Sequence, residues 1–337
     1  MVTMEDIAIE LGCSINTVSK ALNNKPDVSE QTRKKVLETA KRMGYVPNSL
    51  AKSLVTKISG TIGIVVPSVT ISVYTEIVEA IMTRAAKLDY STFLAISAGK
   101  PETEALAIEN LYRKRVDGLI IIPVDHKPLY HKSLKVFELP IVYVLGDTAY
   151  DDSYFVGIDL FDCACITTQH LIDNGSKRIA LVCSTRSGFV TNIEKGFKHT
   201  ILNNGLEFNE EFIFKPDVSL APQDAGYEVA HKLDYQINNF DGIILEHEFL
   251  YFGLHRLLEQ HGLSCPNDIL VAACLGIREK NSSSLSLTSI DISPQQIGYD
   301  SLSMLMDLIK YNKSQQNREY KIKSEPRITI RKSSKRI

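Results

Sequence analysis

Ile15, Asn16, Thr17, Ser19 and Lys20 form the stretch whose residue types have the plainest chemical use. An amide such as Asn16 can read adenine with two hydrogen bonds. An ammonium such as Lys20 can reach a base edge or a phosphate, while Ile15 can pack on a thymine methyl. Val18, Ala21 and Leu22 fall on the other side at helical spacing, so the polar set is displayed together on one helix face. Types that carry catalysis are missing around it and elsewhere. No G-x-G-x-x-G follows a strand, and there is neither a Walker-type Gly-Lys-Ser/Thr nor a G-x-S-x-G elbow. His247-Glu248 has no second histidine four residues on. The eight histidines, His126 and His131 included, lack metal-ligand spacing, and those two are expected to face solvent. The chain reads as a binding protein without cofactor or metal, not as an enzyme.

The groove-type stretch needs a frame, and the first fifty residues supply one. Thr3-x-x-Asp6 is a capping box opening a helix whose Ile7 and Leu11 share a face. Gly12 stops that helix, and Ser14 caps a second over 15–22. Ser29 caps a third over 30–43, for which Val36, Leu37 and Ala40 are the expected buried stripe. Gly44 stands where a left-handed C-terminal cap belongs, and Pro47 follows. Two short helices joined by a tight turn make a helix-turn-helix unit, whose second helix fits the major groove. Thr3, Ser14, Asn23 and Arg33 border that helix and join Ile15, Asn16, Thr17, Ser19 and Lys20 as expected DNA contacts.

Charge agrees with this reading. Residues 1–60 carry nine Lys/Arg and six Asp/Glu, an excess of three, whereas the whole chain is −2, which leaves −5 for 61–337. Positive charge is concentrated where a phosphate backbone would lie. Beyond it, Asn48 can cap a helix of only about two turns, which is marginal alone in water and needs a binding partner to order it.

TVSKALN, VSEQTRKKVLETAKRMGYVPN and LAKSL resemble the N-terminal domain of the lactose-repressor (LacI/GalR) family of bacterial transcription regulators. The similarity continues to about residue 330 through IGIVVP, VDGLIIIP, GSKRIALV and PNDI. It implies that 48–60 is a hinge helix and linker, with Asn48 at its start and Ala51 at the hinge–hinge contact. Leu54 is then the wedge that enters a minor-groove step and kinks the duplex. It also implies a homodimer on double-stranded operator DNA, with a small-molecule effector.

After Gly60 the period changes. Strand-like runs at 62–67, 92–97, 118–123, 141–146, 156–159, 179–184, 242–246 and 269–275 alternate with helical segments. The helical segments are 76–88, 102–115, 164–173, 194–203, 225–233, 249–261 and 295–311. Such alternation predicts parallel sheets covered on both faces. The fold class is therefore α plus α/β: a helix-turn-helix headpiece (1–47) with a hinge helix (48–60), then two doubly wound lobes of the periplasmic-binding-protein type (61–330). The resemblance implies that lobe one is about 61–160 plus 292–319 and lobe two about 161–291 plus 320–330. Residues 331–337 are expected to be a disordered basic tail. Without an apolar heptad at the end, a dimer is expected, not a tetramer.

A ligand in such lobes lies beyond the carboxyl ends of the strands. The resemblance points to Tyr74, Asp147, Asp159, Arg186, Ile193, His247, Glu248 and Leu275 as effector-contacting positions. Several depart from the family pattern. Only Tyr74 keeps an aromatic after the first strand. Ile193 stands where an arginine clamps the effector, with Arg186 on the same loop. His247-Glu248 replaces an Asn-Asp pair, and Leu275 falls where an acid is common. Two readings stay open: a sugar or related metabolite in the cleft, or another metabolite or a protein corepressor. The family's corepressor-binding members carry Arg and Lys where this chain has Ser303 and Asp307.

At 44% hydrophobic and 23% charged, 337 residues describe a soluble protein of two to three domains. With no apolar run long enough to span a bilayer and no signal segment, the expected location is the cytoplasm. The six cysteines are scattered and are read as reduced small hydrophobes.

Overall fold

A computed structural model describes residues 2–46, 58–124, 139–145, 153–183, 187–215, 222–277, 286–311 and 321–335. The chain forms two compact units, Met1–Ser59 and Gly60–Ile337.

The first unit holds three helices, α1 (Met4–Leu11), α2 (Ile15–Leu22) and α3 (Glu30–Met43). Their ends lie where the cap residues put them. Thr3 and Asp6 close a reciprocal capping box on α1, and Ser14 and Ser29 accept from Thr17 N–H and Thr32 N–H. Gly12 and Gly44 close α1 and α3 at φ of 62° and 70°, a region that penalises any side chain with a Cβ. Ile7, Val18 and Val36 are fully buried at the centre, each contributing about 1.5–3 kcal/mol over its exposed state. Leu37 differs from expectation: it is exposed, and the inward stripe of α3 runs through Val36, Thr39 and Ala40. One residue is a 100° step on a helix, so Leu37 cannot share the face of Val36.

The second unit contains two six-stranded sheets. Sheet one is built from β1 (Thr61–Val66), β2 (Ser91–Ile96), β3 (Gly118–Ile121), β4 (Ile141–Val144), β5 (Tyr154–Ile158) and β11 (Lys321–Ser324). Its order is β11-β5-β4-β3-β1-β2, all parallel. Sheet two uses β6 (Ile179–Val182), β7 (Ile213–Phe214), β8 (Gly242–His247), β9 (Leu270–Ile277), β10 (Thr288–Ile292) and β12 (Ile328–Thr329). Its order is β12-β10-β9-β8-β6-β7, with β12 antiparallel at the edge. Central strands such as Gly118–Ile121 and Ile179–Val182 are buried throughout, as parallel strands covered on both faces must be.

Helices α4 (Ser72–Lys87) and α10 (Pro294–Tyr311) pack together in the first lobe, while α5 (Pro101–Arg113) covers the other side of the sheet. In the second lobe α6 (Leu160–Asp173) packs on α7 (Ser187–Asn203), and α8 (Pro222–Leu233) on α9 (Tyr251–Gln260). The α4–α10 contact depends on Gly298, where a Cβ would meet Ile77 O at 2.8 Å. The chain thus passes from sheet one to sheet two after β5, returns for α10 after β10, and crosses again between β11 and β12.

Strands β7, β10, β11 and β12 were not among the eight strand-like runs of the sequence, and two segments are placed otherwise than expected. Residues 321–324, assigned to the second lobe from sequence, extend the first sheet by pairing with β5, so the last crossover lies between 324 and 328. The tail is also packed through residue 335. Arg331 donates to Leu287 O and Ser289 Oγ, both at 2.8 Å, and to Asp291 Oδ1 at 3.2 Å. Ser333 and Ser334 are buried, and Ser333 Oγ donates to Val271 O at 2.6 Å. A sequence rich in Lys, Arg and Ser reads as solvated; these backbone partners are what hold it.

Candidate nucleic-acid interface

On α2 the outward face matches the one drawn from sequence. Ile15 and Asn16 are exposed, Thr17, Ser19 and Lys20 are half-exposed, and Val18 and Ala21 are buried against α1 and α3. Ile15 keeps 47% of its surface although it is a large aliphatic. An apolar side chain held in water at the start of such a helix has a clear use against a thymine methyl.

The surrounding residues divide by what already occupies them. Thr3 Oγ1 donates to Asp6 Oδ2 at 2.9 Å and accepts from Asp6 N–H at 3.2 Å. Hydrogen bonds from the Thr3 backbone and then its hydroxyl lower the Asp6 carboxyl below its usual range. Ser14 Oγ accepts from Thr17 N–H and bonds the Thr17 hydroxyl at 2.8 Å. Asn23 gives its amide to Ser19 O at 2.9 Å, closing the end of α2. These side chains fix helix ends, and what they offer outward is the orientation of α2.

Arg33 departs furthest from its expected part as a phosphate contact. Its guanidinium donates to Lys25 O at 2.7 Å, Val28 O at 3.3 Å and Glu30 Oε2 at 3.0 Å, and its side chain is only 17% exposed. The two carbonyls tie it to the loop between α2 and α3, and Glu30 ties it to the first turn of α3. Lys20 is paired with Asp27 on the same loop. Asp27 was not singled out from sequence; the signal available was an acid seven residues after Lys20, inside an otherwise basic head.

In the second unit five of the expected effector positions, Tyr74, Asp159, His247, Glu248 and Leu275, stand at or just beyond the carboxyl ends of parallel strands. Tyr74 is half-buried in the first turn of α4, after β1. Asp159 caps α6 after β5, accepting from Phe161 N–H and Asp162 N–H. His247 ends β8, and Glu248 follows it; a Cβ on Gly276 of β9 would lie 3.3 Å from Glu248 Oε2, so that carboxylate leans over the end of β9. Leu275 is half-buried against the core. Ile193 stands apart from these: it is fully buried in one stripe of α7 with Phe197 and Ile201, at i, i+4 and i+8. Asp147, Arg186 and the hinge residues Asn48, Ala51 and Leu54 lie outside the described residues, as do His126 and His131.

Among the described residues no group of three His, Cys, Asp or Glu is placed to hold a metal ion, and the six cysteines are free. Burial raises the thiols of Cys163, Cys183 and Cys274 far above their usual range, and that of Cys265 to about 11. Neutral buried thiols behave as small hydrophobes, not as nucleophiles. No helix of the described residues is long and apolar enough to cross a membrane.

Comparison with known proteins agrees with both units. Residues 3–48 match bacterial regulatory proteins of the lacI family, and residues 59–332 match the periplasmic binding proteins and sugar binding domain of the LacI family. Catabolite control protein A of Priestia megaterium is 29% identical over 99% of both chains. The HTH-type transcriptional repressor PurR of Mannheimia succiniciproducens is 26% identical over the full length of both. Among solved structures, the lac repressor dimer bound to operator and the anti-inducer ONPF superposes with a TM-score of 0.83, at 23% identity and 99% coverage of each chain. The domain order, the exposed face of α2 and these matches together establish that the chain belongs to the LacI family of bacterial transcription regulators.

Proposed function

We propose that the protein is a cytoplasmic, homodimeric repressor without enzymatic activity, which binds a near-palindromic operator and responds to a small molecule between its lobes. The exposed Ile15–Asn16 face of α2 carries this reading. Ile15 and Asn16 read base edges, Lys20 reaches a base or phosphate, and the hinge with Leu54 kinks the centre of the site. Effector binding changes the angle between the lobes, and the hinge helices then separate and melt.

The edge of sheet one supports a dimer. Phe93, Leu94 and Ile96 are exposed along β2, the outermost strand of the sheet, which pairs with β1 on one side only. An apolar edge of this kind is an aggregation liability unless a second copy covers it.

The ligand is drawn more narrowly by Ile193 and Leu275, two expected contacts that carry no polar side-chain group. Sugars are held by charged and amide groups around their hydroxyls. Ile193 is buried and Leu275 is apolar, which favours a metabolite other than a sugar in the usual pose. Ser303 and Asp307 are exposed on α10 and offer no positive charge to a phosphorylated protein corepressor. A thermal-shift screen of the full chain over sugars, phosphosugars and nucleosides tests this. A ligand of any of these classes that raises the melting temperature and changes operator affinity supports control by a small molecule, and a plain sugar that does so overturns the narrower preference. Saturable binding with no effect on operator affinity contradicts it.

A further inference from the structure

Lys20, on the outward face of α2, pairs with Asp27 of the loop that follows, and the setting of this pair gives it a purpose. Asp27 is exposed, so the ion pair contributes little to stability. A carboxylate beside a phosphate backbone also costs binding energy. Yet the loop that carries it is fixed on both sides. Lys25 N–H donates to Lys20 O at 3.0 Å, the Val28 side chain is buried in the head's core, and the Arg33 guanidinium holds the carbonyls of Lys25 and Val28. Asp27 lies between those anchors, so its carboxylate is held opposite the Lys20 ammonium by the backbone.

We propose that Asp27 is a specificity-determining residue: it holds the Lys20 ammonium toward a base edge and withholds it from phosphate. The inference rests on the reading of α2 as the groove-reading helix. An ammonium has three donors. One is given to Asp27, and the remaining two suit the O6 and N7 acceptors that guanine presents in the major groove. A phosphate competing for Lys20 must approach a fixed negative charge. The neutralised pair also releases about one counterion fewer than a free lysine. Sequence-independent affinity is thereby reduced, while an operator with a base acceptor at the right step still gains the contact. Lys20 also lowers the Asp27 carboxyl below its usual range, so Asp27 stays charged at neutral pH. Arg33 acts at one remove, by holding the loop that aims Asp27.

The test uses the full-length protein, a short duplex selected by it from a randomised pool, and a scrambled duplex of equal length. Asp27→Asn keeps the shape and removes the charge. The expected result is tighter binding to the scrambled duplex, on the order of fivefold at about 0.1 M salt, with the salt slope steeper by about one. Affinity for the selected duplex changes less, so discrimination falls. In the background of Lys20→Gln, Asp27→Asn should have no such effect. Thermal unfolding of both variants should match the parent. Unchanged scrambled-duplex affinity in Asp27→Asn overturns the proposal, and so does a gain that persists without Lys20. Failure of the parent to enrich any duplex overturns the groove reading as well, which separates the two failures.

Discussion

Lys323 Nζ donates to Asp159 Oδ2 at 2.8 Å, joining the end of β5, where the chain leaves the first sheet, to β11, where it last runs in that sheet. Asp159 also caps α6, the first element of the second lobe. One carboxylate therefore ties together two of the three connections between the lobes. This is a positional part, whereas the resemblance alone assigns Asp159 to the effector.

Burial by itself raises the Asp159 carboxyl, but the hydrogen bond and charge of Lys323 and two backbone N–H groups lower it to a net value below the usual range. Stability from such a group is fully present above the unfolded value, roughly 3.9, and is lost as pH falls through the folded one. Asp159→Asn should therefore be less stable than the parent at pH 7, by under about 1 kcal/mol given the partial exposure. The difference should vanish in acid below the parent's titration. Urea midpoints across pH check this; a difference that grows on acidification refutes it.

Arg33→Ala should destabilise the head, by about 1–3 kcal/mol, because it leaves the Lys25 and Val28 carbonyls without their charged donor. Hydrogen exchange over 24–29 should quicken. A residue serving only as a phosphate contact would weaken DNA binding and leave exchange in this loop unchanged. Arg33→Lys should not rescue, since one ammonium cannot reproduce a planar fork.

Leu94→Glu, on the exposed edge of sheet one, should convert the proposed dimer to monomer. Operator affinity should fall with it, because two half-sites need two heads. Sedimentation of the parent at micromolar concentration should show a dimer; a tetramer, or a variant that dimerises like the parent, counts against the assigned surface.

Leu54→Ala should leave thermal stability and dimerisation unchanged. Specific affinity should drop by one to two orders of magnitude, with DNA bending reduced, because the wedge that repays unstacking is lost. Parental binding and bending in this variant would make 48–54 a plain linker.

The head was legible nearly to the residue because its signals are local: a capping box at Thr3–Asp6, caps at Ser14 and Ser29, and left-handed glycines at 12 and 44. The interior strands other than β10 were legible through β-branched runs buried on both faces, whereas β10, Thr288–Ile292, was not read as a strand. What escaped was settled by distant partners. The two-residue strands β7 and β12 are too short for periodicity to register, and β11 reads as the polar Lys-Ile-Lys-Ser. The tail looks solvated until Thr288 N–H, donating to Ser333 Oγ at 2.8 Å, gives it a place. Side-chain occupation was hidden for the same reason. Sequence shows that Arg33 and Lys20 are positive, but not that backbone carbonyls and Asp27 already hold them. The buried stripe of Ile193, Phe197 and Ile201 was readable from helical spacing, yet the resemblance had drawn Ile193 toward the ligand.

The central claim is that α2 reads sequence, and selection from a randomised duplex pool tests it most directly. The parent should enrich a near-palindromic site. The double variant Ile15→Ala, Asn16→Ala should enrich a different one, with each lost bidentate contact costing about 1–3 kcal/mol of discrimination at its own position in each half-site. A double variant that enriches the parental site with the same ranking of neighbours would contradict the account.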